Sequence, residues 1–184
     1  MPLLVTIPEN EYWNSKTEEF INTKETTIKI EHTLATVASW ESRWKKPFLS
    51  DKPMTAFEFR DYVKRMTIGE KPDDEVYRSL TQENIKEIEA YMADKMTATW
   101  FKEKEGAAKK GMPGKVITAE IIYYYMIELG IPFECENWHL NRLMTLIRVC
   151  SEKNTPAKKM SKKDVLSQYA NLNAARRAKL GTKG

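Results

Sequence analysis

The segment from Thr118 to Pro132, TAEIIYYYMIELGIP, constrains the chain more than any other. Ile121, Ile122, Tyr124, Tyr125, Met126, Ile127 and Leu129 surround a helix with apolar groups on almost every side. A helix that is apolar all round belongs in an interior, so this one is expected at the centre of a core. Thr118 stands where an N-cap belongs. Gly130 takes the C′ position and Pro132 blocks continuation. The apolar run from Ile121 to Leu129 carries Glu128 and falls far short of the roughly 18 residues a membrane span needs. A globular domain built around this helix is the expectation.

The other segments are read by period. Leu3–Ile7 is apolar and β-branched and reads as a strand. Ser15 and Glu18 have capping-box form, so a short helix is expected near Lys16. Ile28, Ile30, His32, Leu34, Thr36, Ala38 and Trp40 alternate with their neighbours, which predicts a strand over roughly 27–38, with a helix as the competing reading. Thr55 and Glu58 form a second capping box, and Phe57, Tyr62, Val63 and Met66 are spaced to share one helix face. Ile85, Ile88, Tyr91 and Met92 form another stripe. The glycine-bearing charged stretch 102–115 reads as a loop. A long helix is expected from about Phe133 to Lys153, with Leu140, Leu143, Met144, Ile147 and Cys150 on its inner side. Ser161 and Asp164 open a last helix that ends near Gly181. Its apolar content is thin (Val165, Leu166, Tyr169, Leu172, Leu180), and such a helix is marginal alone in water.

The expected fold is therefore α+β and mainly helical: a small N-terminal β element followed by five to six packed helices. A globular domain would span 1–154 and a basic helical tail 155–184. The expected core includes Ile28, Ile30, Leu34, Trp40, Ile85, Ile88, Ile121, Ile122, Tyr125, Leu140, Leu143 and Ile147.

Charge is divided unevenly. Residues 151–184 hold nine Lys/Arg against two acids, a net +7, while the rest of the chain carries −3 of the total +4. Lys158, Lys159, Lys162 and Lys163 cluster at the start of the last helix, with Arg176 and Arg177 near its end. Three readings compete for this segment: docking on an acidic or amphipathic protein partner, phosphate neutralisation on nucleic acid, and a solvated tail. Tyr169 is its one aromatic ring, which gives little support to base stacking. Trp40 and Trp44, four apart, read either as a partner-binding surface or as a plug between the β element and the helices.

No catalytic constellation stands out. Cys135 and His139 are four apart, but no CxxC or HExxH accompanies them, so no metal or other cofactor is expected. Gly111–Lys115 lacks the spacing of a phosphate loop, and no G-x-S-x-G is present. Two cysteines suggest reduced thiols. The first residues lack the basic start and sustained apolar stretch of a secretory signal. A non-enzymatic, non-membrane chain working in the cytoplasm is the expectation.

Four blocks carry a family resemblance: Ile30–Leu34 through Ser39-Trp40-Glu41-Ser42-Arg43-Trp44-Lys45-Lys46-Pro47-Phe48-Leu49; Met96–Phe101; Ile117–Met126 with Trp138–Leu143; and Pro156–Lys163 through Asn173–Arg177. In this order they resemble the tail assembly chaperones of long-tailed, siphovirus-like bacteriophages and prophages. The resemblance implies a protein of the host bacterial cytoplasm that binds the phage tape measure protein and helps recruit the major tail protein, the tube subunit. It also implies a longer form made by translational frameshifting. The nine methionines suit adaptable apolar contacts. The alternatives are a virion structural or connector component, and a small nucleic-acid-binding protein acting through the basic tail; self-association is left open.

Overall fold

In a computed structural model the described residues are 1–14, 18–50, 52–101, 116–154 and 162–181. They form an α+β fold dominated by helices, with four short strands at the N-terminus and seven α-helices after them. The chain divides into two compact units, Met1–Ser151 and Glu152–Gly184.

In the first unit, β1 (Leu3–Ile7) pairs antiparallel with β4 (Thr26–Ile30), setting Val5 opposite Ile28 and Leu3 opposite Ile30. The alternation expected of a half-buried sheet holds: Val5, Ile7, Ile28 and Ile30 are buried, while Leu4 and Thr6 face out. Between them β2 (Asn10–Asn14) and β3 (Glu19–Thr23) form an antiparallel hairpin. The helix expected near Lys16 is thus replaced by strand on both sides. Ser15 and Lys16 lie outside the described residues, and Glu18 takes a left-handed turn at φ 54°.

The strand expected over 27–38 stops at Ile30. Thr33 caps α1 (Leu34–Trp44) in a reciprocal box with Thr36. Leu34, Val37 and Trp40 recur every three residues and are buried. The same residues satisfy a period of two, and burial of the helical face decides between them. Beyond β4 the sheet edge continues into the chain after α2 (Ala56–Met66): Glu31 N donates to Met66 O at 2.9 Å and Ile68 N to Lys29 O at 2.8 Å.

Thr55 and Glu58 cap α2 as expected. Tyr62, Val63 and Met66 point inward, but Phe57 is exposed and does not share their face. Next come α3 (Asp74–Arg78) and α4 (Gln82–Ala93). The α4 stripe keeps Ile88 and Tyr91 buried, with Ile85 and Met92 half-buried. Asn84 reaches from α4 to Thr6 O at 3.0 Å and so ties the helix to β1.

The helix α5 (Ala119–Glu128) ends in a Schellman arrangement, with Gly130 N on Ile127 O at 3.2 Å and Ile131 N on Met126 O at 2.8 Å. Gly130 has φ 65°, which is why glycine stands there. The expected long helix is two elements. A 3₁₀ turn, Phe133–Asn137, precedes α6 (Leu140–Asn154). The break at Trp138–His139 arises where Thr33 and His139 form an isolated bridge and Leu140 N donates to His32 O at 2.9 Å. The second unit contains α7 (Lys162–Leu180). No helix among the described residues is long and apolar enough to cross a membrane.

Candidate interaction surface

The two buried carboxylates of the first unit, Glu41 and Glu58, are tied in place. Glu41 sits on α1 and is buried; its carboxylate accepts from Phe48 N at 2.7 Å and from Ala119 N at 2.8 Å. It thereby supplies the cap of α5 that the Thr118 side chain does not make. Glu58, also buried, closes the cap of α2 through Thr55 N at 2.8 Å and receives Lys46. The Lys46 ammonium, helped by the Thr55 N–H, holds the Glu58 carboxyl below its ordinary range.

The chain's two histidines meet in the same interior. His32 and His139 have ring centroids 5.2 Å apart, and both are buried. His32 Nδ1 lies 2.5 Å from the Tyr62 hydroxyl. Burial first, and the charge of His139 second, pushes His32 down to about 3. Burial lowers His139 too. His139 Nε2 donates to Tyr91 O at 3.1 Å, which leaves Nδ1 unprotonated and buried without a partner. Cys135 lies on the 3₁₀ turn and His139 beyond it, so the two do not share a helix face. Among the described residues no group of three or more His, Cys, Asp or Glu could hold a metal ion.

Trp40 is in the core; its indole N–H donates to Glu58 O at 3.0 Å, and its ring packs edge-on to Phe48. Trp44 is half-buried and donates to Asp61 Oδ2 at 2.8 Å. The structure therefore uses Trp40 as a plug between α1 and α2.

The outer side of α5 is the surface that sequence reasoning missed. Only Ala119, Ile122 and Met126 are buried; Tyr123 and Leu129 flank them. Tyr124 is 59% exposed, Ile127 64% and Tyr125 37%, and Ile121 is half-buried. The helix therefore lies at the edge of the core with one face outward, and Ile121 and Tyr125, together with the half-buried Ile85 of α4, leave the expected core list. Glu120, Tyr124 and Glu128 stand four apart on the outward face. That spacing was the available signal, because a helix buried on all sides does not carry two acids on one line. Phe133, also exposed, packs its ring against Tyr123, one turn from Ile127.

On α7, Leu166, Tyr169, Leu172 and Leu180 are all exposed. At 100° per residue they fall on one side of the helix, with Arg176 inside the stripe and Arg177 and Lys179 at its margins. Arg176 and Arg177 are exposed. Lys162 and Lys163 begin the helix, while Lys158 and Lys159 lie outside the described residues.

No family model matches the chain. Comparisons with curated proteins and with solved structures return no match either.

Proposed function

We propose that this chain is a non-enzymatic tail assembly chaperone of a long-tailed bacteriophage, binding the tape measure protein and helping recruit tube subunits in the host cytoplasm. The observation that carries the reading is α7, a 19-residue basic helix whose Leu166–Tyr169–Leu172 stripe is uncovered. A basic helix with exposed apolar anchors and flanking cations fits helix-to-helix recognition of a long helical client. The ordered sequence blocks that resemble this family supply the identity of the client.

The test is co-expression of the full chain with the tape measure protein of the same phage, beside the variant Leu166→Asp/Leu172→Asp. The wild type should raise the soluble fraction of the client severalfold and be recovered with it; the variant should not. A client equally insoluble in both cultures overturns the reading. Mass spectrometry of purified virions separates a chaperone, which leaves, from a connector, which stays. Recovery of nucleic acid alone, weakening steeply with salt, would favour the nucleic-acid alternative.

A further inference from the structure

We propose that the outward face of α5 is the docking site for helix α7 of a second copy of this chain, the two copies exchanging α7 reciprocally to form a closed dimer. The inference stands on the two helices and not on the tail-assembly reading; in the dimer the α7 stripe is covered by the partner copy's α5, and a client helix would have to displace α5 from the same residues. An exposed apolar helix face in a folded domain marks a contact surface, and α5 presents Tyr124, Ile127 and the half-exposed Tyr125 together with Glu120 and Glu128. What covers it must be apolar with positive charges beside the apolar groups. The stripe of α7 has that chemistry: Leu166, Tyr169 and Leu172, followed by Arg176 and Arg177.

Dimensions agree. The ten residues of α5 extend about 15 Å, and the twelve residues of α7 from Leu166 to Arg177 about 18 Å, at 1.5 Å per residue. The own N–H of Glu120 and the Thr118 hydroxyl hold the Glu120 carboxyl below its ordinary range, so the acidic side of the pair is charged at neutral pH. Each helix alone leaves apolar groups in water; pairing covers both at once. A reciprocal exchange uses both faces of both copies and leaves no open end, which is the condition for a dimer in place of a chain of subunits.

The experiment uses the full chain and two charge reversals on exposed residues: Glu120→Lys/Glu128→Lys, and Arg176→Glu/Arg177→Glu. Sedimentation and light scattering across a concentration series read the mass. The wild type should approach twice the 21.4 kDa of one chain. Either reversal alone should raise the dissociation constant at least about tenfold, since like charges then face each other in both copies. Mixing the two variants should restore the dimer, because every α5–α7 contact across the mixed pair joins opposite charges. That rescue also shows that both variants are folded. A wild type that remains at the monomer mass at every concentration overturns the proposal. So does a dimer indifferent to both reversals, or a mixture no more associated than its components.

Discussion

The interior and the outward helix faces of this molecule treat polarity in opposite ways. Inside the first unit, Glu41 and Glu58 are charged-type groups held by backbone N–H groups and by Lys46. On α5 and α7, apolar side chains of the size usually buried are left in solvent. Burying a carboxylate is costly unless every bond is made, and exposing Ile127 or Leu166 forfeits about 1.5–3 kcal/mol of transfer free energy each. The interior meets its cost with specific partners in the same unit. The outward faces of α5 and α7 keep their apolar groups in solvent, and the contacts proposed above are placed there for that reason.

The comparison breaks first at Glu41. Glu41→Ala strips the carboxylate from two backbone donors, Phe48 N and Ala119 N. We expect a loss of about 3 kcal/mol in urea unfolding. A loss under about 1 kcal/mol would mean that solvent replaces the carboxylate and that the interior is less closed than described.

Acid is the next lever. His32 is held down to about 3 in the folded chain, against an ordinary value of 6.5. The unfolded chain therefore binds more protons throughout that window, and stability must fall as the pH drops from about 6.5 towards 3. The slope for one such group is about 1.4 kcal/mol per pH unit, so some 2–3 kcal/mol goes between pH 6.5 and 4.5. His139 shifts in the same direction and steepens the loss. Thermal unfolding of the wild type beside His32→Gln checks this: the variant should start lower and show a flatter dependence in that range. Parallel slopes would remove His32 from the account.

A smaller effect is expected at the α2 cap. Thr55→Ala removes the hydroxyl that receives Glu58 N at 3.3 Å and should cost about 1 kcal/mol. Glu58→Gln keeps the reach to Thr55 N and loses the charge that meets Lys46. Its unfolding free energy should lie between those of Thr55→Ala and the wild type.

Much of this architecture was legible. Leu3–Ile7 declared itself a strand by β-branching, Thr55 and Glu58 declared a cap, and Gly130 marked the end of α5. These features are local, and local chemistry decides them. The errors fell where two local readings were equally good and a distant contact chose. Leu34, Thr36, Ala38 and Trp40 alternate like a strand, yet Leu34, Val37 and Trp40 make an equally regular helix face, and packing against α2 selects it. The hairpin of β2 and β3 was missed because Ser15 and Glu18 mimic a cap, while Trp13 and Phe20 become neighbours, with centroids 5.0 Å apart, only once the chain has reversed. The role of Thr118 was right in position and wrong in chemistry, because the group that caps α5 at Ala119 N comes from Glu41, 78 positions before Ala119 along the chain. On α5, counting apolar residues outweighed the placement of Glu120 and Glu128, and the outward face was lost.

The two sides of α5 differ: Ala119, Ile122 and Met126 are packed into the fold, while Tyr124 and Ile127 lie open to solvent. The most direct measurement is urea unfolding, at concentrations dilute enough to keep the chain monomeric, of Met126→Ala beside Tyr124→Ser/Ile127→Ser. Met126 is buried, and its truncation should cost about 2–5 kcal/mol. The outward pair should stay within about 0.5 kcal/mol of the wild type. An outward variant as destabilised as Met126→Ala would contradict the account, because it would place Tyr124 and Ile127 inside the fold.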